Sequence, residues 1–82
     1  MLVETGDFAV AIGELRAAVV ANPFRERLTE LLMLALYKDH RRWEALQVYT
    51  ETRDLMIESL GMEPGPELRR THRRILDDDL QQ

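Results

Sequence analysis

The chain has 82 residues, 45% of them hydrophobic and 32% charged, with a net charge of -4 and no cysteine. That length supports one domain with a modest core, and the missing cysteines exclude disulfides, thiolate catalysis and cysteine-ligated zinc. The acidic balance argues against wholesale nonspecific binding to nucleic acid, which calls for a clear excess of Lys and Arg, while leaving room for a local basic face.

No apolar run approaches the roughly 18 to 20 residues that cross a bilayer. The start, Met1-Leu2-Val3-Glu4-Thr5, has neither the basic region nor the apolar stretch of a signal peptide, so a cytoplasmic protein is expected.

Four helices are predicted. In the first, Asp7 serves as N-cap, and Phe8, Ala11, Ile12, Leu15, Ala18 and Val19 recur at helical steps until Asn22-Pro23, where proline disfavours helical geometry for the residue before it. Gly13 within it either costs about 1 kcal/mol relative to alanine or marks a close approach of another helix.

The second helix is predicted from about Phe24 to Lys38. Phe24, Leu28, Leu31, Leu32, Ala35 and Leu36 form a broad stripe, widened by Met33, Leu34 and Tyr37, as expected of an element sandwiched between two others. Lys38-Asp39-His40-Arg41-Arg42 then breaks the pattern and puts cations at the carbonyl end of that helix. So short a turn makes the next helix antiparallel.

The third helix, from about Arg42 to Leu60, carries Ala45, Leu46, Tyr49, Thr52, Met56 and Leu60 on one side, leaving Glu51 and Glu58 to solvent. Gly61 stops it, Pro64 extends Glu63, and Pro66 suits the first turn of a fourth helix running to about Leu80. Leu68, Thr71 or His72, Ile75, Leu76 and Leu80 are expected to face the stack, and Arg69, Arg70, Arg73 and Arg74 to face away. Asp77-Asp78-Asp79 and Gln81-Gln82 are expected to fray.

The first and third helices echo each other at a spacing of 34: Ala11 maps onto Ala45, Ile12 onto Leu46, Leu15 onto Tyr49 and Ala18 onto Thr52. That is the period of tetratricopeptide-type helix pairs, which bury their apolar faces by stacking on neighbours. The expected fold is all-α, a tetratricopeptide-like antiparallel stack of about four helices forming a single domain over residues 1–82.

Three stretches carry a resemblance to a known family: Asn22-Pro23-Phe24-Arg25-Glu26-Arg27-Leu28; Leu32-Met33-Leu34-Ala35-Leu36-Tyr37 followed by Glu44-Ala45-Leu46 and Tyr49; and Leu60-Gly61-Met62-Glu63-Pro64-Gly65-Pro66-Glu67-Leu68. Together they resemble the bacterial transcriptional activator domain of SARP-type regulators, from about Gly6 to Leu76, and the last stretch is far more specific than a generic repeat. The resemblance implies roles in dimer contacts, regulation and contact with the transcription machinery. Such regulators usually place a winged-helix DNA-binding domain and further helices ahead of this domain, of which Met1 to Thr5 would be the last remnant. No segment here carries DNA recognition by that resemblance. His40 stands where a repeat commonly has Gly, and Thr52 where it commonly has Ala, which puts turn geometry and close packing there in question.

Catalysis is poorly supported, since there is no glycine-rich phosphate loop, no nucleophile elbow, and a single serine, Ser59. His40 and His72 are distant in sequence and make a weak metal pair; the adjacent Asp77, Asp78 and Asp79 point in different directions on a helix. No catalytic residue, cofactor or metal is expected. Trp43 and Tyr49 are read as core rather than as an aromatic platform, and the Arg69-to-Arg74 stretch as a solvated face before an acidic-protein or DNA contact.

The function expected is a protein-interaction domain of a SARP-type regulator, with a second copy, a winged-helix domain or RNA polymerase as partner and a homodimer among the outcomes. The alternative is a stand-alone helical adapter in a biosynthetic pathway; direct nucleic-acid binding is the third reading. A missing leading helix would leave Phe8, Ile12, Leu15 and Val19 uncovered, so these residues, with Arg69, Arg70 and Arg73, form the candidate interface.

Overall fold

Glu26 to Lys38 form the helix on which everything else leans in the computed structural model, which describes residues 5–78. In chain order the elements are α1 (Thr5–Ala21), α2 (Glu26–Lys38), α3 (Arg42–Leu60) and α4 (Pro66–Leu76), with no strand among the described residues. Helix α2 packs against all three others; α4 also packs on α3, while the backbone of α1 comes close only to that of α2. The expected all-α stack of helix pairs is therefore what the chain forms.

The N-terminal boundary differs from expectation. The backbone is already helical at Thr5, so Asp7 lies within α1 and is not its cap. At the other end Pro23 stops α1 as predicted: the Asn22 amide donates to the Ala18 carbonyl at 2.9 Å, and its side chain to the same oxygen at 3.2 Å. Helix α2 starts at Glu26 rather than Phe24. The Arg25 amide bonds back to the Asn22 carbonyl at 3.1 Å, closing a turn over Asn22-Pro23-Phe24-Arg25, and Arg25 itself is extended. Phe24 is consequently 42% exposed instead of joining the apolar stripe.

Between α2 and α3 the chain makes a complete Schellman closure. The Arg41 amide reaches the Leu36 carbonyl at 2.8 Å and the His40 amide the Tyr37 carbonyl at 3.0 Å. His40 adopts the left-handed conformation this requires, with φ 63°, which explains why a repeat usually puts glycine there. Gly61 does the same work after α3, at φ 67°, and Asp78 after α4, at φ 61°. His40 and Asp78 lie 38 positions apart, four more than the echo between α1 and α3.

The core joins Leu32, Met33, Leu36 and Tyr37 of α2, Ala45, Val48 and Tyr49 of α3, Leu68 and Ile75 of α4, and Ile12 of α1. Ala45 is completely buried, so the small side chain sets how closely α3 can approach. Leu60 and Leu76, expected to face inward, are both largely exposed. Leu60 sits one turn beyond Met56, the last buried residue of α3, and Ile75 takes the inward position of its turn, leaving Leu76 about 100° round the helix. Gly13 meets nothing within 4 Å of where a side chain would begin, so no helix approaches it closely.

Polar clamps fasten α4 at both ends. Glu26 accepts the Gly65 amide at 2.8 Å, and Glu30 accepts the Thr71 hydroxyl at 2.8 Å. At the far end the Arg42 guanidinium donates to the Ile75 carbonyl at 2.9 Å and to the Leu76 carbonyl, ending the helix there rather than at Leu80. The Tyr37 hydroxyl donates to Asp78, so the expected fraying does not hold for that residue; Asp79, Leu80, Gln81 and Gln82 lie outside the described residues.

Two outcomes follow. Ala45→Asp buries an unpaired charge against α2 and should cost about 3 to 5 kcal/mol, enough to unfold much of the population in a urea titration at 25 °C. His40→Gly removes the left-handed penalty of a side chain and should raise stability by up to about 1 kcal/mol in the same assay.

Candidate interaction surfaces

Helix α1 is apolar on nearly every side, TGDFAVAIGELRAAVVA, yet only one side is covered. Ile12 is the residue expectation misplaced: it is 3% exposed, turned into the core, with Leu15 and Val19 partly buried beside it. A period-based reading selects the strongest apolar face, and α2 takes that face. Of the four residues expected to be uncovered, Phe8 alone is on the surface, at 36%. The uncovered stripe is instead Val10, Gly13, Ala17 and Val20, spaced at three and four residues, with Val10 62% and Val20 80% exposed.

Trp43, read as core, is 70% exposed. It lies two residues before the buried Ala45, about 200° round the helix, and so points away from α2. With Leu46, Gln47 and Thr50 it lines a shallow depression along α3. A second hollow joins Val19, Val20 and Pro23 to Glu51, Thr52 and Leu55 of α3. The same two helices are bridged nearby by Arg16 and Glu44, 3.8 Å apart. Arg41 also binds Glu44, and this hydrogen bond holds the Glu44 carboxyl below its ordinary range and raises the guanidinium. Exposed apolar side chains thus gather on α1 and the adjoining side of α3.

The fourth helix presents a different chemistry. Arg69, Arg70, Arg73 and Arg74 are exposed as predicted, and the first three line a depression with Pro66. Among the described residues none of the four has a carboxylate partner, whereas Arg16, Arg27, Arg41 and Arg53 each do. Acids collect on the other side of the α4 N-terminus, where Glu26, Glu30 and Glu67 line a cleft with Arg27. Thr71, not His72, takes the buried position facing α2. His72 lies flat on Tyr49, ring centroids 3.8 Å apart and planes 9° from parallel. His40 and His72 join no cluster of three or more metal-ligating side chains among the described residues.

The fold defines a class first: an all-α stack of helix pairs with one apolar and one basic outer face. The chain belongs to the bacterial transcriptional activator domain family, whose model matches residues 1–76. It is 53% identical over 76 residues to the regulatory protein AfsR of Streptomyces griseus, covering 93% of this chain and 8% of AfsR. It is 43% identical over 74 residues to the transcriptional regulator RedD of Streptomyces coelicolor, covering 90% of this chain and 21% of RedD. The structure of Mycobacterium tuberculosis EmbR in complex with a low-affinity phosphopeptide superposes with a TM-score of 0.85 at 36% identity, over 89% of this chain and 19% of EmbR. The chain therefore spans less than a quarter of the length of each of these relatives. Among the described residues no helix is long and apolar enough to cross a membrane.

The stacked His72 titrates below its ordinary range, chiefly because burial disfavours the cation and secondarily because Arg73 repels it. The unfolded chain then binds the proton more readily, so stability is complete above about pH 6.5 and falls as the pH drops through that value. Glu44, whose carboxyl is lowered, acts only at more acidic pH. The urea midpoint should rise between pH 5.5 and 7.5, and His72→Phe should flatten that rise.

Proposed function

We propose that this domain is the protein-contact module of a SARP-type transcriptional regulator, serving dimerisation or contact with the transcription machinery in the cytoplasm, with no chemistry of its own. Membership in a family whose relatives are regulators supports the setting. One observation carries the contact role: α1, apolar on two sides, is covered by α2 on one and bare along Val10, Gly13, Ala17 and Val20 on the other.

The tetratricopeptide-like register suits this use. In such stacks a helix with two apolar sides accepts a neighbour on each, and the small Gly13 and Ala17 on the bare side let a second helix come close. Trp43 adds a large amphipathic anchor on the adjoining helix, the residue type most enriched where partners bind tightly. The partner is a second copy, a winged-helix domain or RNA polymerase, each of which would bury this face.

Val20→Asp and Trp43→Ala are both surface changes and should alter stability by no more than about 0.5 kcal/mol. Each should weaken self-association, or association with purified RNA polymerase or a winged-helix domain, at least tenfold in sedimentation velocity experiments. A wild-type chain that stays monomeric and binds neither of these, or variants that associate as well as wild type, would rule the reading out.

A further inference from the structure

We propose that the outer face of α4 docks an acidic segment of a partner protein, with Arg69, Arg70 and Arg73 as the anchoring cations. The inference rests on reading the domain as a protein-contact module but uses a face separate from the apolar one on α1 and α3.

Cations elsewhere in the fold are largely spoken for. Arg16, Arg27, Arg41 and Arg53 are paired with carboxylates, and Arg42 is occupied by the carbonyls that end α4. Arg69, Arg70 and Arg73 have no such partner among the described residues, and they stand at adjacent and four-residue spacing on one side of a helix, around the hollow that Pro66 begins. Like charges so placed repel one another, and an anion laid across them removes that repulsion. Glu67, the acid on the same helix, lines the opposite cleft with Glu26 and Glu30.

The chemistry selects the occupant. Guanidinium groups pair with carboxylates in a planar two-bond geometry, and the stripe from Pro66 to Arg73 covers about 10 Å of helix, room for two or three carboxylates. A nucleic-acid duplex would carry its phosphates well beyond that length, over a chain with a net charge of -4 and past the cleft of Glu26, Glu30 and Glu67. A short acidic peptide meets the arginines alone. The backbone beneath them is preorganised, because Glu26, Glu30 and Arg42 fasten α4 along its length, so binding orders side chains only.

The test is fluorescence anisotropy at low salt with the folded chain and a labelled 12-residue peptide carrying three pairs of Glu, beside its Gln counterpart and a 15-base-pair duplex. The Glu peptide should bind, weaken as salt rises, and lose at least tenfold in affinity with Arg69→Gln/Arg73→Gln, while Arg25→Gln/Lys38→Gln, which removes two charges elsewhere, leaves it unchanged. Arg70→Gln/Arg73→Gln serves as a second pair should the first fail to melt like wild type. No binding of the Glu peptide, equal binding of the Gln peptide, equal loss in the remote variant, or tighter arginine-dependent binding of the duplex would overturn the proposal. The failure of the α1 and α3 face to associate would leave this result standing, so the two readings are separable.

Discussion

Helix α2 has to be buried on several sides at once, and the rest of the structure follows from how that is done. Thr29, Leu32, Met33, Leu36 and Tyr37 are all withdrawn from water, and no single neighbour can cover so wide an arc. Helix α1 takes one side, α3 another, and α4 fills the remaining angle while also resting on α3. The apolar content of α2 thereby dictates that this short chain be a layered stack. Its carboxylates at Glu26 and Glu30 serve the same end, since they bond the two places where α4 would otherwise lift away.

The same constraint explains why the two outer faces differ. Covering α2 consumes the best apolar side of α1, Ile12 with Leu15 and Val19, and leaves the second side bare. Helix α4 spends Leu68, Thr71 and Ile75 inward, so its four arginines dominate what remains outside. A domain of this size thus exposes greasy surface at one edge and cationic surface at another, and a partner's composition decides which edge it meets.

Much of this was legible in the residues. The apolar stripe of α2, the small residue at Ala45, the stop at Gly61 and the proline opening of α4 each state a local physical requirement that the fold meets. His40 was legible too, as a place where glycine would be easier, and its positive φ is the reason. What periodicity does not encode is which of two apolar faces a neighbour chooses. For that reason Ile12, expected bare, is buried and Trp43, expected buried, is bare: α1 has apolar residues on two sides, and an aromatic in the first turn of a helix looks like core until its neighbours are known. Nor does composition announce hydrogen bonds across about forty residues, such as Tyr37 to Asp78. The basic face of α4 needed only spacing, and the residues supply that directly.

The Arg42 side chain links two helix ends that the sequence keeps far apart. It belongs to the first turn of α3, yet it holds the final carbonyls of α4. A helix of eleven residues is marginal on its own in water and opens readily unless its ends are held. Here peeling it from the carbonyl end also breaks the Arg42 bonds to the opening turn of α3, so that end of α4 is tied to the start of α3 and does not open alone.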